Sequence, residues 1–220
     1  MSNLHVDSIT KSFDEKTILR GIYISCETGK VVGLLGRNGS GKSTLLKIIF
    51  GIEKGDSQFV RVDDKVLQNQ MDRKGRIAYL PQYSFLPRGI KIKKLISLFC
   101  NKTNTEKLLH SQLIKPFLNE TSSSLSGGEK KIVEILLLIH SDAKFILLDE
   151  PFNALSPKMV SEIQKIIREQ SKEKGIIITD HRYQDILKIS DEIYLLDNNY
   201  LKQIKDLKEL QQHNYLPKSI

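Results

Sequence analysis

Short apolar stretches alternate along this chain with longer segments whose apolar residues recur every three or four positions. Residues 31–35, 145–148 and 175–179 are continuous apolar runs, as expected of strands covered on both faces. Residues 76–80 and 192–196 read as two more. From about Ser126, the spacing of Ile132, Ile135, Leu136 and Ile139 predicts a helix with one apolar face. Residues 157–172 read as a second amphipathic helix, with Pro157 near its first turn. The first 27 residues and the stretch 59–67 alternate more strictly and predict a separate antiparallel layer. Strands alternating with helices predict an α/β fold around a largely parallel sheet.

Composition narrows this little. The 220 residues, 40% hydrophobic and 27% charged, suit one domain with a large core. No apolar run approaches the roughly 20 residues that span a bilayer. The longest candidate, 132–139, is broken by Glu134 and reads as a buried helix. Residues 1–10 lack the basic-then-apolar pattern of a signal peptide, so a cytosolic location is expected. Cys26 and Cys100 have no metal-ligand spacing and read as buried, reduced thiols. A net charge of +8 points to an anionic partner: nucleotide, nucleic acid or a membrane surface. No internal repeat or long linker is present.

The chemistry begins at Gly36-Arg37-Asn38-Gly39-Ser40-Gly41-Lys42-Ser43-Thr44, which matches the P-loop pattern between a strand and an apolar-faced helix. Its glycines let the backbone wrap phosphates and aim N–H groups at them. Lys42 supplies a point charge to the outer phosphates and Ser43 a hydroxyl for Mg²⁺. Asp149 and Glu150 follow the strand 145–148, at the end of the sheet where the P-loop also lies. Alone they fit a solvated loop. Beside a P-loop, Asp149 fits metal holding and Glu150 fits activation of a water.

At Leu125-Ser126-Gly127-Gly128-Glu129 the sequence resembles the signature motif of the ABC ATPases, which has Gln more often than Glu in the last position. The resemblance runs from Leu4 to about Leu207. It implies a P-loop NTPase (RecA-like) core with an antiparallel β subdomain and a short helical subdomain. The core would comprise 1–82 and 143–200, the helical subdomain 83–142, and a tail 201–220, ending in a docking helix and a loose terminus. It also implies ATP and Mg²⁺ as cofactors. By resemblance, Phe13 stacks on adenine (as a lone residue it could equally be core). Gln82 contacts metal and nucleophilic water, and His181 contacts the γ-phosphate. Ser126, Gly127 and Gly128 would bind the nucleotide of a second subunit in a head-to-tail dimer, with a homodimer or a heterodimer both open. Ser156 stands where the family has Asp, and the stretch between Gln82 and Ser126 is short for the family's helical subdomain.

Two functional classes remain from the sequence. One is the ATPase subunit of a membrane transporter, peripheral on the inner face of the membrane beside separate permease subunits, with no nucleic acid partner. The other is a soluble ABC ATPase acting on a cytosolic assembly or nucleic acid. The absence of a second cassette, a heptad insertion and Cys-x-x-Cys pairs favours the first. The Thr179-Asp180-His181 variant most resembles ATPases of importers and of lipid or lipopolysaccharide exporters. Arg88, Lys91, Lys93, Lys94, Lys102, Lys107 and Lys115 face only Glu106 in the stretch 83–117. The stretch reads either as a solvated helical face or as a docking surface, in which case Phe85, Leu86 and Leu95 meet a helix of the membrane subunit. The lysines would face anionic lipid, at about 1 kcal/mol each.

Overall fold

A computed structural model describes residues 1–212 and Tyr215. The expectation for the terminus, at 213–214 and 216–220, lies outside the described residues. In chain order the elements are β1 (Asn3–Phe13), β2 (Lys16–Glu27), β3 (Val31–Gly36), α1 (Lys42–Phe50), β4 (Ser57–Val62) and β5 (Lys65–Val66). Next come α2 (Gln70–Arg73), β6 (Ile77–Leu80), α3 (Ile92–Phe99), α4 (Lys102–His110), α5 (Gly127–Ile139) and β7 (Phe145–Asp149). The chain continues through α6 (Pro157–Ser171), β8 (Gly175–Thr179), α7 (Tyr183–Ile189), β9 (Glu192–Asp197), β10 (Tyr200–Ile204) and α8 (Leu207–Gln212).

The continuous apolar runs become the central sheet, in the order β10-β9-β3-β8-β7-β6, parallel from β9 to β6. Both faces are covered, so successive residues enter different cores. Val31, Leu35, Ile146, Leu148, Ile176 and Ile178 pack under the helices α5, α6 and α7. Val32, Leu34, Phe145, Leu147 and Ile177 face α1 and the second sheet. That sheet, β2-β1-β4-β5, is antiparallel, and its alternation buries Leu4, Val6, Ile22, Ile24, Val60 and Val62 on one face. The antiparallel layer expected from 1–27 and 59–67 is therefore present.

Helix α5 is buried on every side over residues 131–139, as the reading of 132–139 as a buried helix expects, because it lies between β6, α3 and α6. Two expectations need correction. Residues 201–204, expected in the tail, belong to β10, the antiparallel edge strand of the central sheet. Asn198 and Asn199, with φ of 48° and 69°, make the left-handed turn that joins it to β9. Leu86 and Leu95 are in the core and so are not free to meet a partner helix, while Phe85 is half-buried, packed on Phe99 with ring centroids 5.8 Å apart. The period of α3 turns Ile92, Leu95 and Ile96 inward and leaves Lys93, Lys94 and Leu98 outside. The large exposed apolar side chains in this region are Tyr83 and Leu98.

Candidate functional site

Parallel strands deliver their carboxyl ends to one edge of the sheet, and there β3, β6, β7 and β8 bring the sequence motifs together. β3 ends at Gly36, and the loop closes on Gly41, whose φ of 106° caps α1. A Cβ at Gly41 would stand 2.7 Å from Ile18 Cγ2, so the loop needs glycine there for space as well as for conformation. Lys42 opens α1 and donates from Nζ to the carbonyls of Gly36 (2.7 Å) and Arg37 (3.0 Å). Burial pushes its pKa down, and the charges of Glu150, Asp149 and Asp180 oppose that shift.

Behind the loop a chain of polar side chains crosses three elements. Ser43 Oγ donates to Asp149 Oδ1 at 3.0 Å and accepts from Gln82 Nε2 at 3.1 Å. The Tyr79 hydroxyl donates to Asp149 Oδ2 at 2.9 Å. Asp149 is 1% exposed, and its burial raises the carboxyl pKa against the hydrogen bonds from Ser43 and Tyr79. The Tyr79 hydroxyl is pushed up by its own burial and by Asp149.

Glu150 follows with φ 52°, a left-handed conformation uncommon for a non-glycine residue. Its N–H is held by the Thr179 carbonyl at 2.8 Å. Asp180 is buried and accepts from the Phe152 N–H (2.9 Å) and the Arg182 N–H (3.0 Å), tying the turn after Glu150 to the end of β8. His181 is half-exposed, with Nδ1 3.3 Å from Asp180 Oδ1.

A cleft of about 380 Å³ collects Phe13, Ile18, Asn38, Gly39, Gly41, Lys42, Ser43, Thr44, Gln82 and Glu150. Phe13 is 46% exposed, with the Lys11 ammonium 4.7 Å from its ring centroid. Gly36, Ser40, Asp149 and His181 do not line the cleft. Ser126, Gly127 and Gly128 do not line it either. They form the start of α5, where Ser126 accepts from the Glu129 N–H and the Glu129 carboxylate accepts from the Ser126 N–H. That reciprocal cap accounts for Glu at the last position of the motif. A Cβ on Gly128 would meet the Ala154 carbonyl at 2.8 Å, so the motif abuts the turn after Glu150. Ser156 caps α6 by accepting from the Met159 N–H.

The sequence alone assigns no role to the Tyr79 hydroxyl or to the Asp180 carboxylate. Tyr79 sits in β6 three residues before Gln82, and only strand parity hints at it. A larger open groove of about 550 Å³ lies at the far ends of β6 and β7, where Lys65 and Lys144 are already paired with Asp72 and Asp63.

The donor set fits a hard divalent cation. Ser43 Oγ is within hydrogen-bond reach of both the Asp149 carboxylate and the Gln82 amide, and all three side chains can offer oxygen. Ser40 Oγ is enclosed beside the loop with no hydrogen-bond partner among the described residues, an orphan a phosphate oxygen would satisfy. Among the described residues, no group of three or more His, Cys, Asp or Glu is arranged to hold a metal by itself.

Fold and site together define a P-loop nucleotide-binding cassette. Residues 19–153 match the family model for ABC transporters. The chain is 30% identical to the lipopolysaccharide export system ATP-binding protein LptB of Haemophilus influenzae, over 89% of this chain and 87% of that protein. It is 31% identical to the probable sulfate/thiosulfate import ATP-binding protein CysA of Chlorella vulgaris, over 94% and 93% respectively. The ATP binding subunit of an ABC transporter superposes with TM-score 0.84 at 22% identity, over 96% of this chain and 93% of that one. The ADP conformation of another ABC transporter cassette gives 0.75 at 26% identity, over 96% and 94%. The chain belongs to the ABC transporter family, as a nucleotide-binding subunit. Among the described residues no helix is long and apolar enough to cross a membrane.

Proposed function

We propose that this chain hydrolyses ATP to ADP and phosphate, and that nucleotide-driven closure of a dimer, most simply two copies of it, powers separate membrane-spanning subunits. The observation that carries this reading is the unbroken line Gln82–Ser43–Asp149 beside Lys42 and Glu150 at one cleft. Phe13 stacks on the adenine, and the loop from Gly36 to Thr44 cradles the phosphates. Ser43, Asp149 and Gln82 hold Mg²⁺, which neutralises phosphate charge when bound. Glu150 orients and deprotonates the attacking water, and His181 reaches the γ-phosphate. Ser126, Gly127 and Gly128 present the α5 N-terminus to the partner's nucleotide. The core (1–82 and 143–200) binds nucleotide, while 83–142 docks on the cytoplasmic face of the membrane subunits through Tyr83, Leu98 and the exposed lysines. Glu150→Gln tests the reading. Nucleotide affinity should hold, turnover should fall roughly 10²–10⁴-fold, and an ATP-dependent dimer should accumulate. Hydrolysis near the wild-type rate would remove Glu150 from this role.

A further inference from the structure

Helix α5 buries two charged side chains. Glu134 is fully buried and Lys131 is 7% exposed. Ions in such places are destabilising unless well partnered. Their own contact is long, with Lys131 Nζ 3.7 Å from Glu134 Oε2. Their hydrogen bonds go elsewhere, to the backbone on either side of Gln82. Lys131 Nζ donates to the carbonyls of Pro81 and Gln82, each at 3.2 Å. Glu134 Oε1 accepts from the Phe85 N–H at 3.0 Å.

Residues 81–85 are thus gripped at three points by the helix that Ser126 caps. Hydrogen bonds with an ionised partner are the stronger kind, and here they act out of water. On the opposite side the Gln82 amide reaches Ser43, and through it Asp149. Among the described residues Glu134 Oε2 has no hydrogen-bond partner, and at 3.7 Å it stands ready to accept from the Lys131 ammonium should the two carbonyls move away.

We infer that Lys131 and Glu134 form a latch that fixes the backbone around Gln82, so that the position of α5 sets the Gln82 amide against Ser43 and Asp149. The inference rests on the role proposed for Gln82. Both are positioning residues, since neither lines the nucleotide cleft. The latch joins the signature end of α5 to the metal-side cluster within one subunit.

The test uses the full chain and a double-mutant cycle. Lys131→Met keeps the aliphatic stem and removes the ammonium. It should lower kcat by about tenfold while the affinity for a fluorescent ATP analogue changes less than about twofold. Lys131→Arg should restore most of the rate. In a Gln82→Ala background Lys131→Met should cause no further loss, because the positioned group is already gone. Hydrogen exchange at Gln82–Phe85 should accelerate in Lys131→Met and Glu134→Ala. Lys131→Gln serves the same comparison if Lys131→Met does not fold. Independent, multiplying rate losses for Lys131→Met and Gln82→Ala would overturn the latch, as would unchanged exchange at residues 82–85. An inert wild-type chain would instead sink the proposed ATPase reading, with the exchange measurement still deciding the latch.

Discussion

Tyr79→Phe isolates a single hydroxyl. The ring stays, packed on Phe50 at a centroid distance of 5.5 Å, and only the 2.9 Å donor to Asp149 Oδ2 is lost. Asp149 is 1% exposed, so water cannot replace that donor easily. Hydrogen bonds to charged groups contribute about 1.5–3 kcal/mol. At about 2–4 °C per kcal/mol for a chain of this size, the melting temperature should drop by roughly 3–12 °C at pH 8. The pH dependence has a definite sign. Burial already raises the Asp149 pKa, and the Tyr79 hydrogen bond is one of the influences holding it down. Without it the folded variant takes up the proton at higher pH than wild type does. The stability gap should therefore be full well above the raised Asp149 pKa and should narrow as pH falls through it. Urea unfolding of both proteins across that range measures the gap. Equal stability at pH 8, or a gap independent of pH, would refute the coupling of Tyr79 to an ionised Asp149.

The two signature glycines should part company. Gly128→Ala drives a Cβ to 2.8 Å from the Ala154 carbonyl and should destabilise by about 1–3 kcal/mol, whereas Gly127→Ala has nothing within 4 Å and should melt at or above the wild-type temperature. A lower melting point for Gly127→Ala than for Gly128→Ala would contradict the close approach. Burial pushes both thiols up to about 12, so iodoacetamide at pH 8 should label neither Cys26 nor Cys100 until urea unfolds the chain. Rapid labelling of the folded protein would count against it.

What the sequence conveys follows from where each signal resides. The P-loop is legible because its chemistry is local: consecutive backbone groups, one lysine and one hydroxyl in a single turn. The strands are legible because burial on both faces removes polar residues from both parities. Lys131 and Glu134 are illegible for the opposite reason. At a spacing of three they resemble a solvated helical ion pair, and their partners, Pro81, Gln82 and Phe85, lie far back along the chain. Leu86 and Leu95 show the same limit, since exposure depends on what packs opposite. An apolar residue among lysines belongs to a docking surface or to the core according to neighbours that local pattern does not contain.

The electrostatics of the cleft explain why these separate motifs must converge. Lys42 is destabilised as a cation by burial, and Glu150, Asp149 and Asp180 offset that cost. The same carboxylates would repel a triphosphate. Lys42 is already satisfied by the carbonyls of Gly36 and Arg37, so a phosphate must offer it at least equal hydrogen bonds. Lys42 and Lys47 act on Asp149, and Glu150 adds a carboxylate at the cleft, so on the reading proposed above a triphosphate would be accompanied by a cation. Ser43 and Asp149, already aligned at 3.0 Å, stand where that cation would be shared with phosphate oxygens. On that proposed reading nucleotide and cation would bind together, and Gln82, bonded to Ser43, would register the event. Glu150 takes no part in that alignment. Its left-handed backbone is held from behind by Thr179 and, through Phe152, by Asp180. Its carboxylate lines the cleft, apart from the Ser43–Asp149 pair, as the water activation proposed above would require.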